Sequence, residues 1–383
     1  MESKLARWGF KNGKESGVTN RDLINRVRGN LNKYDEREII NLGNGDPTPY
    51  PSFKTTPVAE EALLEALRST AFNGYPPPKG LSATRRAVAD HLSVDLRHKL
   101  SEDDVFITSG ASQAIELILT ILVRPGANIL LPRPVFPLYK ERASFIGLEV
   151  RYFDLLPDRG WEVDIDGVEA LADDNTIAMV VINPGYKHIF LRCPTGSVFT
   201  LDHMHKIVET ARRKGIIVNA DEVYRHIVFG SREFMPIGMF GYRVPVLTVG
   251  SMSKRWLIPG WRLGWIAASD SNGVLTQSGI IECIEKYLSM TSSPTTLVQG
   301  AVPKILLSTP NDYFDKVVNT LRESAEKCYQ LANEIPCLTC PTKPQGCMFV
   351  MMKLNMSILE GIGDELDFCC KLAKEESVIL LPG

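Results

Sequence analysis

Val244-Pro-Val-Leu-Thr-Val249-Gly-Ser251-Met-Ser-Lys254-Arg-Trp-Leu-Ile-Pro-Gly-Trp-Arg262 joins a short apolar run to a lysine, with a serine three residues before that lysine and an arginine eight after it. The run Val244–Val249 reads as a buried strand. A lysine at its far end, partly withdrawn from water, gives up its proton readily and can attack an aldehyde to form a Schiff base. The hydroxyl of Ser251 and the fork of Arg262 can hold a phosphate. An isolated Ser-x-x-Lys is more simply a surface loop with solvated cations. Here the preceding strand and the flanking Trp256, Trp261 and Trp265 favour a ligand site.

Working outward, short apolar runs recur at Val105–Thr108, Asn128–Leu131, Ala178–Ile182, Ile216–Val218 and Leu263–Ala267, and helical periodicity fills several gaps, as at Gln113–Leu122 and Leu201–Lys214. Strands alternating with helices predict an α/β fold: a doubly wound, mostly parallel sheet with helices on both faces. Helical patterns at Val58–Thr70 and Ala83–His98 precede it. From about Ser293 the pattern changes to a long helix, Tyr313–Ile335, then short strands and a helix at Glu365–Glu375. This predicts an arm and the start of a smaller unit in residues 1–57, a large domain in 58–292, and a smaller α/β domain, built from both chain ends and C-terminally incomplete, in 293–383.

Polar residues gather just after the apolar runs: Ser109-Gly110-Ala111-Ser112, Pro132–Pro137, Asn183-Pro184-Gly185, Asp221 and Lys254. In open α/β sheets the ligand crevice lies beyond the carboxyl ends of the strands. Pyridoxal phosphate carries both an aldehyde and a phosphate, and its ring draws electrons best when a carboxylate keeps the pyridine nitrogen protonated. Asp221 suits that role and Tyr224 could donate to the ring's phenolic oxygen, although Asp221 taken alone would serve equally as a helix cap. Small residues at Ala111 and Ser112 would let backbone N–H groups approach an anion. Phe136 could stack on a flat ring or pack in the core.

The 383 residues carry a net charge of −2 and are 44% hydrophobic. That balance argues against nucleic acid or an anionic membrane as the main partner. No apolar run approaches the roughly 20 residues that span a bilayer. Met1–Trp8 has no apolar segment of a secretory signal, and Glu2, Glu15 and Asp22 speak against a transit peptide. The expected compartment is cytoplasmic, which the scatter of eight cysteines also fits. Cys337-x-x-Cys340 has metal-like spacing, but no second pair or histidine follows at zinc-finger distance. It reads as part of a strand pair, and Cys369-Cys370 as helix core.

Together these stretches resemble a fold-type I, class I aminotransferase, in particular the plant tyrosine aminotransferase subgroup with its nicotianamine aminotransferases and thiohydroximate C–S lyases. The resemblance runs from about Trp8 to the end. It is carried by Leu42-Gly-Asn-Gly-Asp-Pro47, Asn73-Gly-Tyr75, Thr108-Ser-Gly-Ala-Ser-Gln113, Leu131-Pro-Arg-Pro134, Asp221-Glu-Val-Tyr224 and Ser251-Met-Ser-Lys254 through Arg262-Leu-Gly-Trp265. It implies pyridoxal 5'-phosphate as cofactor, with Lys254 as the Schiff-base lysine and proton shuttle, Asp221 on the ring nitrogen, Tyr224 on the phenolic oxygen and Phe136 stacked on the ring. Ser251, Arg262, Ala111 and Ser112 would bind the phosphate, and Tyr75 would reach the phosphate of a second subunit in a homodimer. The implied reaction is ping-pong: tyrosine or a related amino acid leaves its amine, and a 2-oxo acid such as 2-oxoglutarate collects it. A C–S lyase with the same cofactor site is the alternative.

Two departures from the family pattern carry a further alternative, a member that folds without doing the chemistry. Where the family reads Asn-Pro-x-Asn-Pro-(Cys/Thr/Ser)-Gly, this chain has Asn183-Pro-Gly followed by Tyr186–Cys193 and then Pro-Thr-Gly196. Eight residues thus replace the asparagine that bonds the ring oxygen, and Asn183 is its candidate substitute. The chain also stops at Leu380-Leu-Pro-Gly383, where the resemblance leads one to expect another strand and helix with a carboxylate-binding arginine. Finally, Val135 stands where glycine is usual, and would be strained if that position required positive φ.

Overall fold

The computed structural model describes residues 19–185, 198–291 and 294–382. From the N-terminus it runs through α1 (Asn20–Arg28), β1 (Ile40–Asn41), α2 (Pro57–Ser69), α3 (Ser82–Ser93), β2 (Val105–Thr108), α4 (Gly110–Leu122), β3 (Asn128–Arg133) and α5 (Pro137–Ile146). There follow β4 (Glu149–Leu156), β5 (Glu162–Val163), α6 (Ile165–Leu171), β6 (Thr176–Ile182), α7 (Leu201–Lys214), β7 (Ile217–Asp221), β8 (Val246–Ser251) and β9 (Gly264–Ser269). The chain continues with α8 (Val274–Gln277), α9 (Ile280–Met290), α10 (Thr296–Ser308), α11 (Asn311–Glu334), β10 (Leu338–Thr339), β11 (Lys353–Leu354), α12 (Glu365–Glu376) and β12 (Val378–Ile379).

Eight strands form one sheet in the order β2-β9-β8-β7-β6-β3-β4-β5. The central pairs β8–β7, β7–β6, β6–β3 and β3–β4 are parallel, whereas β9 runs antiparallel to both β2 and β8, and β5 is antiparallel to β4. Side chains alternate faces along each strand. Ala178, Val180 and Ile182 of β6 join the core under α4, α5 and α9. Met179 and Val181 join the core under α6 and α7. Burial on both faces is what a doubly wound sheet demands of its strands, and it explains their near-continuous apolar runs.

The helices begin where the sequence supplies caps. Thr200 accepts from the His203 N–H at the start of α7, and Gly215, at φ 65°, ends that helix. The predicted α/β architecture is present, including the smaller unit made from both chain ends. There β1 pairs in parallel with β12, and Val27 of α1 shares an apolar cluster with Cys369, Ala373 and Ile379. Leu338 and Thr339, between Cys337 and Cys340, pair with β11, the strand pair expected there. Helix α10 shows what the change of pattern at Ser293 did not: Ala301, Val302 and Ile305 pack with Ala59, Val88, Ile107 and Trp265, in the core of the large sheet. Val135 has no positive φ; it is half-buried against the core, so the anticipated strain does not arise.

Candidate active site

Because β2, β3, β6, β7 and β8 run the same way, Thr108, Arg133, Ile182, Asp221 and Ser251 end on one edge of the sheet. Asp221 pairs in register with Ile182 on one side and Val249 on the other. Gly264 pairs with both Thr108 and Ser251, which draws the Arg262 turn to the same edge.

Lys254 follows β8 by three residues. Its Nζ donates to the carbonyl of Gly45 at 2.6 Å and lies 5.7 Å from the centre of the Tyr224 ring. Burial pushes the ammonium down to about 8, with Asp46 and Asp221 pulling the other way and Arg262 adding to the fall. A measurable share of the amine is thus neutral near physiological pH. Asp221 is buried at 3% exposure. Burial pushes its carboxyl up to about 6, against the Val223 N–H, the Tyr139 hydroxyl and the charge of Lys254, which all favour the anion. The Val223 N–H is 3.3 Å from Oδ1 and the Tyr139 hydroxyl 3.1 Å from Oδ2.

An anion cradle lies beside them. Gly110 opens α4 at φ 77°, and a Cβ there would fall 2.4 Å from Arg262 Nη2, so glycine is what lets the guanidinium approach the helix start. Arg262 donates to the carbonyls of Ser109 and Pro259 at 3.0 and 2.9 Å and is otherwise exposed. Ala111 and Ser112 occupy the first turn of α4, where free N–H groups point outward. Ser251 Oγ accepts from the Ser253 N–H at 3.3 Å.

The structure therefore brings Lys254, Asp221, Tyr224, Ser251, Arg262, Ala111 and Ser112 to one strand edge. Phe136 precedes α5 and packs on the core below it. Asn183 also ends up here, but its amide is committed: Nδ2 donates to the Met235 carbonyl and Oδ1 accepts from the Phe199 N–H. Tyr75 is not drawn in by the single chain, being 94% exposed. The segment Tyr186–Cys193 lies outside the described residues.

Residue-by-residue reading missed three features. Tyr139 reaches Asp221 from the first turn of α5, and its only signal was its place just after Phe136. Gly45 and Phe349 close over Lys254; a Cβ at Gly45 would fall 2.6 Å from the Phe349 ring. The third is a buried ionic network under Tyr224. Arg225 reaches Asp95 at 2.6 Å and Glu222 at 3.5 Å, and Asp95 also meets His226 at 2.8 Å. Burial pushes Glu222 up to about 7, while the hydrogen bond from His226 holds Asp95 down at about 2.

A lysine with a depressed pKa, a neighbouring buried carboxylate and an anion cradle thus share one edge of a doubly wound sheet. The chain matches the model of class I and II aminotransferases over residues 37–383 and belongs to that family. It is 53% identical to a probable aminotransferase of Arabidopsis thaliana over 91% of this chain and 82% of that protein. It is 50% identical to nicotianamine aminotransferase 1 of Oryza sativa subsp. japonica over 94% of this chain and 71% of that one. An S-alkyl-thiohydroximate lyase of Arabidopsis thaliana is 45% identical across 100% of this chain and 82% of its own. Among solved structures, tyrosine aminotransferase from Leishmania infantum superposes with a TM-score of 0.85 at 32% identity, covering 97% of this chain and 91% of that one.

Proposed function

We propose that this aminotransferase uses pyridoxal 5'-phosphate to move the amino group of tyrosine, or a related amino acid, to a 2-oxo acid such as 2-oxoglutarate. The observation that carries the cofactor is the placement of Lys254 within reach of the charge on Asp221. One supplies a partly neutral amine, the other a buried negative charge that a protonated ring nitrogen would offset. The Gly110 cradle, which a Cβ would fill, fits a phosphate. When bound, the cofactor supplies an aldehyde for condensation with amines and an electron-withdrawing ring.

The chain's own residues do the rest. Lys254 Nζ would take the proton from the substrate α-carbon and hold it for return, and Gly45 and Phe349 limit the water that reaches it. Asp221 would hold positive charge at the ring nitrogen, Tyr224 would bond the phenolic oxygen and Phe136 would support the ring face. Ser251, Arg262, Ala111 and Ser112 would bind the phosphate, with Asn183 at the rim of the crevice. We place the protein in the cytosol as a homodimer: the cysteines described are free thiols, as a reducing compartment keeps them, and Tyr75 stands exposed, as a residue that reaches a second subunit would. No helix among the described residues is long and apolar enough to cross a membrane.

Tyrosine as donor rests on the likeness to the Leishmania enzyme. The likeness to the thiohydroximate lyase supports the second reading, C–S cleavage at the same site. The test is the visible spectrum of the protein with pyridoxal phosphate, before and after tyrosine. A band that Lys254→Ala abolishes and tyrosine bleaches, with an aromatic 2-oxo acid released, is the expected result. Pyruvate and a thiol from an S-alkyl conjugate would favour the lyase; no band from folded protein would overturn both.

A further inference from the structure

Tyr139 is wholly buried on the first turn of α5, among Ala114, Ile118 and Leu131. A phenol in such surroundings loses its water and needs a partner to justify the position. The partner is Asp221: the hydroxyl donates to Oδ2 at 3.1 Å across 82 residues of sequence. We infer that Tyr139 is a positioning residue of the active site, whose hydroxyl keeps the Asp221 carboxylate ionised and aimed along the strand edge. The inference rests on the proposed cofactor chemistry for its purpose, but the contact itself does not.

Two observations point the same way. The pKa of Tyr139 is driven well above its usual value by burial and then by the Asp221 charge, so the phenol keeps its proton. Asp221 in turn is lowered by that phenol, and also by the Val223 N–H, against the rise that burial imposes. Proton on tyrosine and charge on aspartate is one self-consistent state. The other ionisable groups acting on Asp221 are Lys254, from the end of β8, and its own neighbour Glu222. With the carboxyl already held up at about 6 in spite of its donors, losing one of them would leave much of it neutral at pH 7. A neutral carboxyl cannot hold a proton on a ring nitrogen.

The phenol also fixes direction. The Val223 N–H restrains Oδ1 from the chain that follows β7, and Tyr139 restrains Oδ2 from a different layer of the fold. Two donors from independent elements leave the carboxylate plane little freedom, and a charge must be held in place before it can orient a ring.

The experiment is a titration of the Asp221 carboxyl, by 13C NMR of labelled aspartate in the cofactor-free full chain, assigned with Asp221→Asn. Tyr139→Phe keeps the ring and removes the donor. The midpoint should rise by about one to two pH units, the worth of a hydrogen bond to a charged group; an unmoved midpoint overturns the inference. Pyridoxal phosphate affinity is then compared in both backgrounds. Tyr139→Phe should weaken it about tenfold when Asp221 is present and not at all in Asp221→Asn. An equal loss in both would show that the tyrosine acts through packing. If the phenylalanine variant does not fold, 3-fluorotyrosine at position 139, a stronger donor, must lower the midpoint instead. Failure of the chain to bind the cofactor would sink the proposed function while leaving the carboxyl titration to decide Tyr139.

Discussion

The amine of Lys254 donates a 2.6 Å hydrogen bond to the carbonyl of Gly45, 209 residues earlier, and so ties the end of β8 to the N-terminal loop. The loop can lie that close because Gly45 has no side chain. An added Cβ would sit 2.6 Å from Phe349 Cζ and 3.1 Å from Lys254 Nζ. Gly45→Ala should displace Phe349 or lift the loop, at an overpacking cost worth about tenfold in cofactor affinity, with little effect on the large sheet. Equilibrium dialysis of pyridoxal phosphate, beside a thermal melt, would check this. Unchanged affinity would mean that the loop swings clear when ligand enters.

Lys254 should also announce itself by its titration. Burial lowers its pKa to about 8, so acylation of Lys254 by a small amine reagent, read by peptide mass spectrometry, should rise through a midpoint near pH 8. Exposed lysines such as Lys286 should lag behind it. The unfolded lysine holds its proton more tightly than the folded one, so this group adds stability as pH climbs from about 8 towards 10.5. A Lys254 midpoint near 10 would contradict the burial argument.

Asp221 works in the opposite sense. Its folded pKa, about 6, lies above the ordinary value of 3.8, so the folded state binds the proton more tightly. Stability falls as pH rises between those values, by about 3 kcal/mol at pH 7. Asp221→Asn should therefore raise the stability of the cofactor-free protein, with a gain that grows from pH 4 to pH 6 and then levels off, while cofactor affinity drops. Urea melts across that range are the measurement. A variant less stable at every pH would show that the amide cannot replace the carboxylate's contacts with Val223 and Tyr139.

Much of this site was legible in the sequence because its groups follow strands closely. Asp221 is the last residue of β7, and Lys254 lies three beyond β8. A polar residue at the end of an apolar run can be placed without knowing the rest of the fold. Long-range pairs could not be placed that way. Tyr139 meets Asp221, and Gly45 meets Lys254, through the seating of whole elements on one another, which no local period encodes. The same limit applies to β9: Leu263–Ala267 read as a strand, but its antiparallel direction depends on where the chain re-enters the sheet. Strand β4 escaped notice because it lies near the sheet edge, where half-burial mixes Arg151 and Asp154 into the apolar pattern. Asn183, the candidate substitute for the missing asparagine, has its amide bonded to the Met235 carbonyl and the Phe199 N–H, a pairing no local pattern announces.

Arg225 tests whether the network beneath Tyr224 supports the fold. Its guanidinium spans Asp95, Glu222 and the Leu92 carbonyl. Arg225→Ala would leave buried Glu222 without its cation and Asp95 with His226 alone, and breaking such a set costs about 3 kcal/mol or more. The loss should depend on pH with a definite sign. Glu222, raised to about 7 by burial with Arg225 opposing that rise, would bind its proton still more tightly once the arginine is gone. The variant's stability should then fall more steeply than the wild type's as pH rises through 7, so the penalty at pH 8 exceeds that at pH 6. Urea melts at the two pH values decide it. Equal penalties would mean that Arg225 contributes through packing against Phe234, 5.5 Å from its ring centre, rather than through charge.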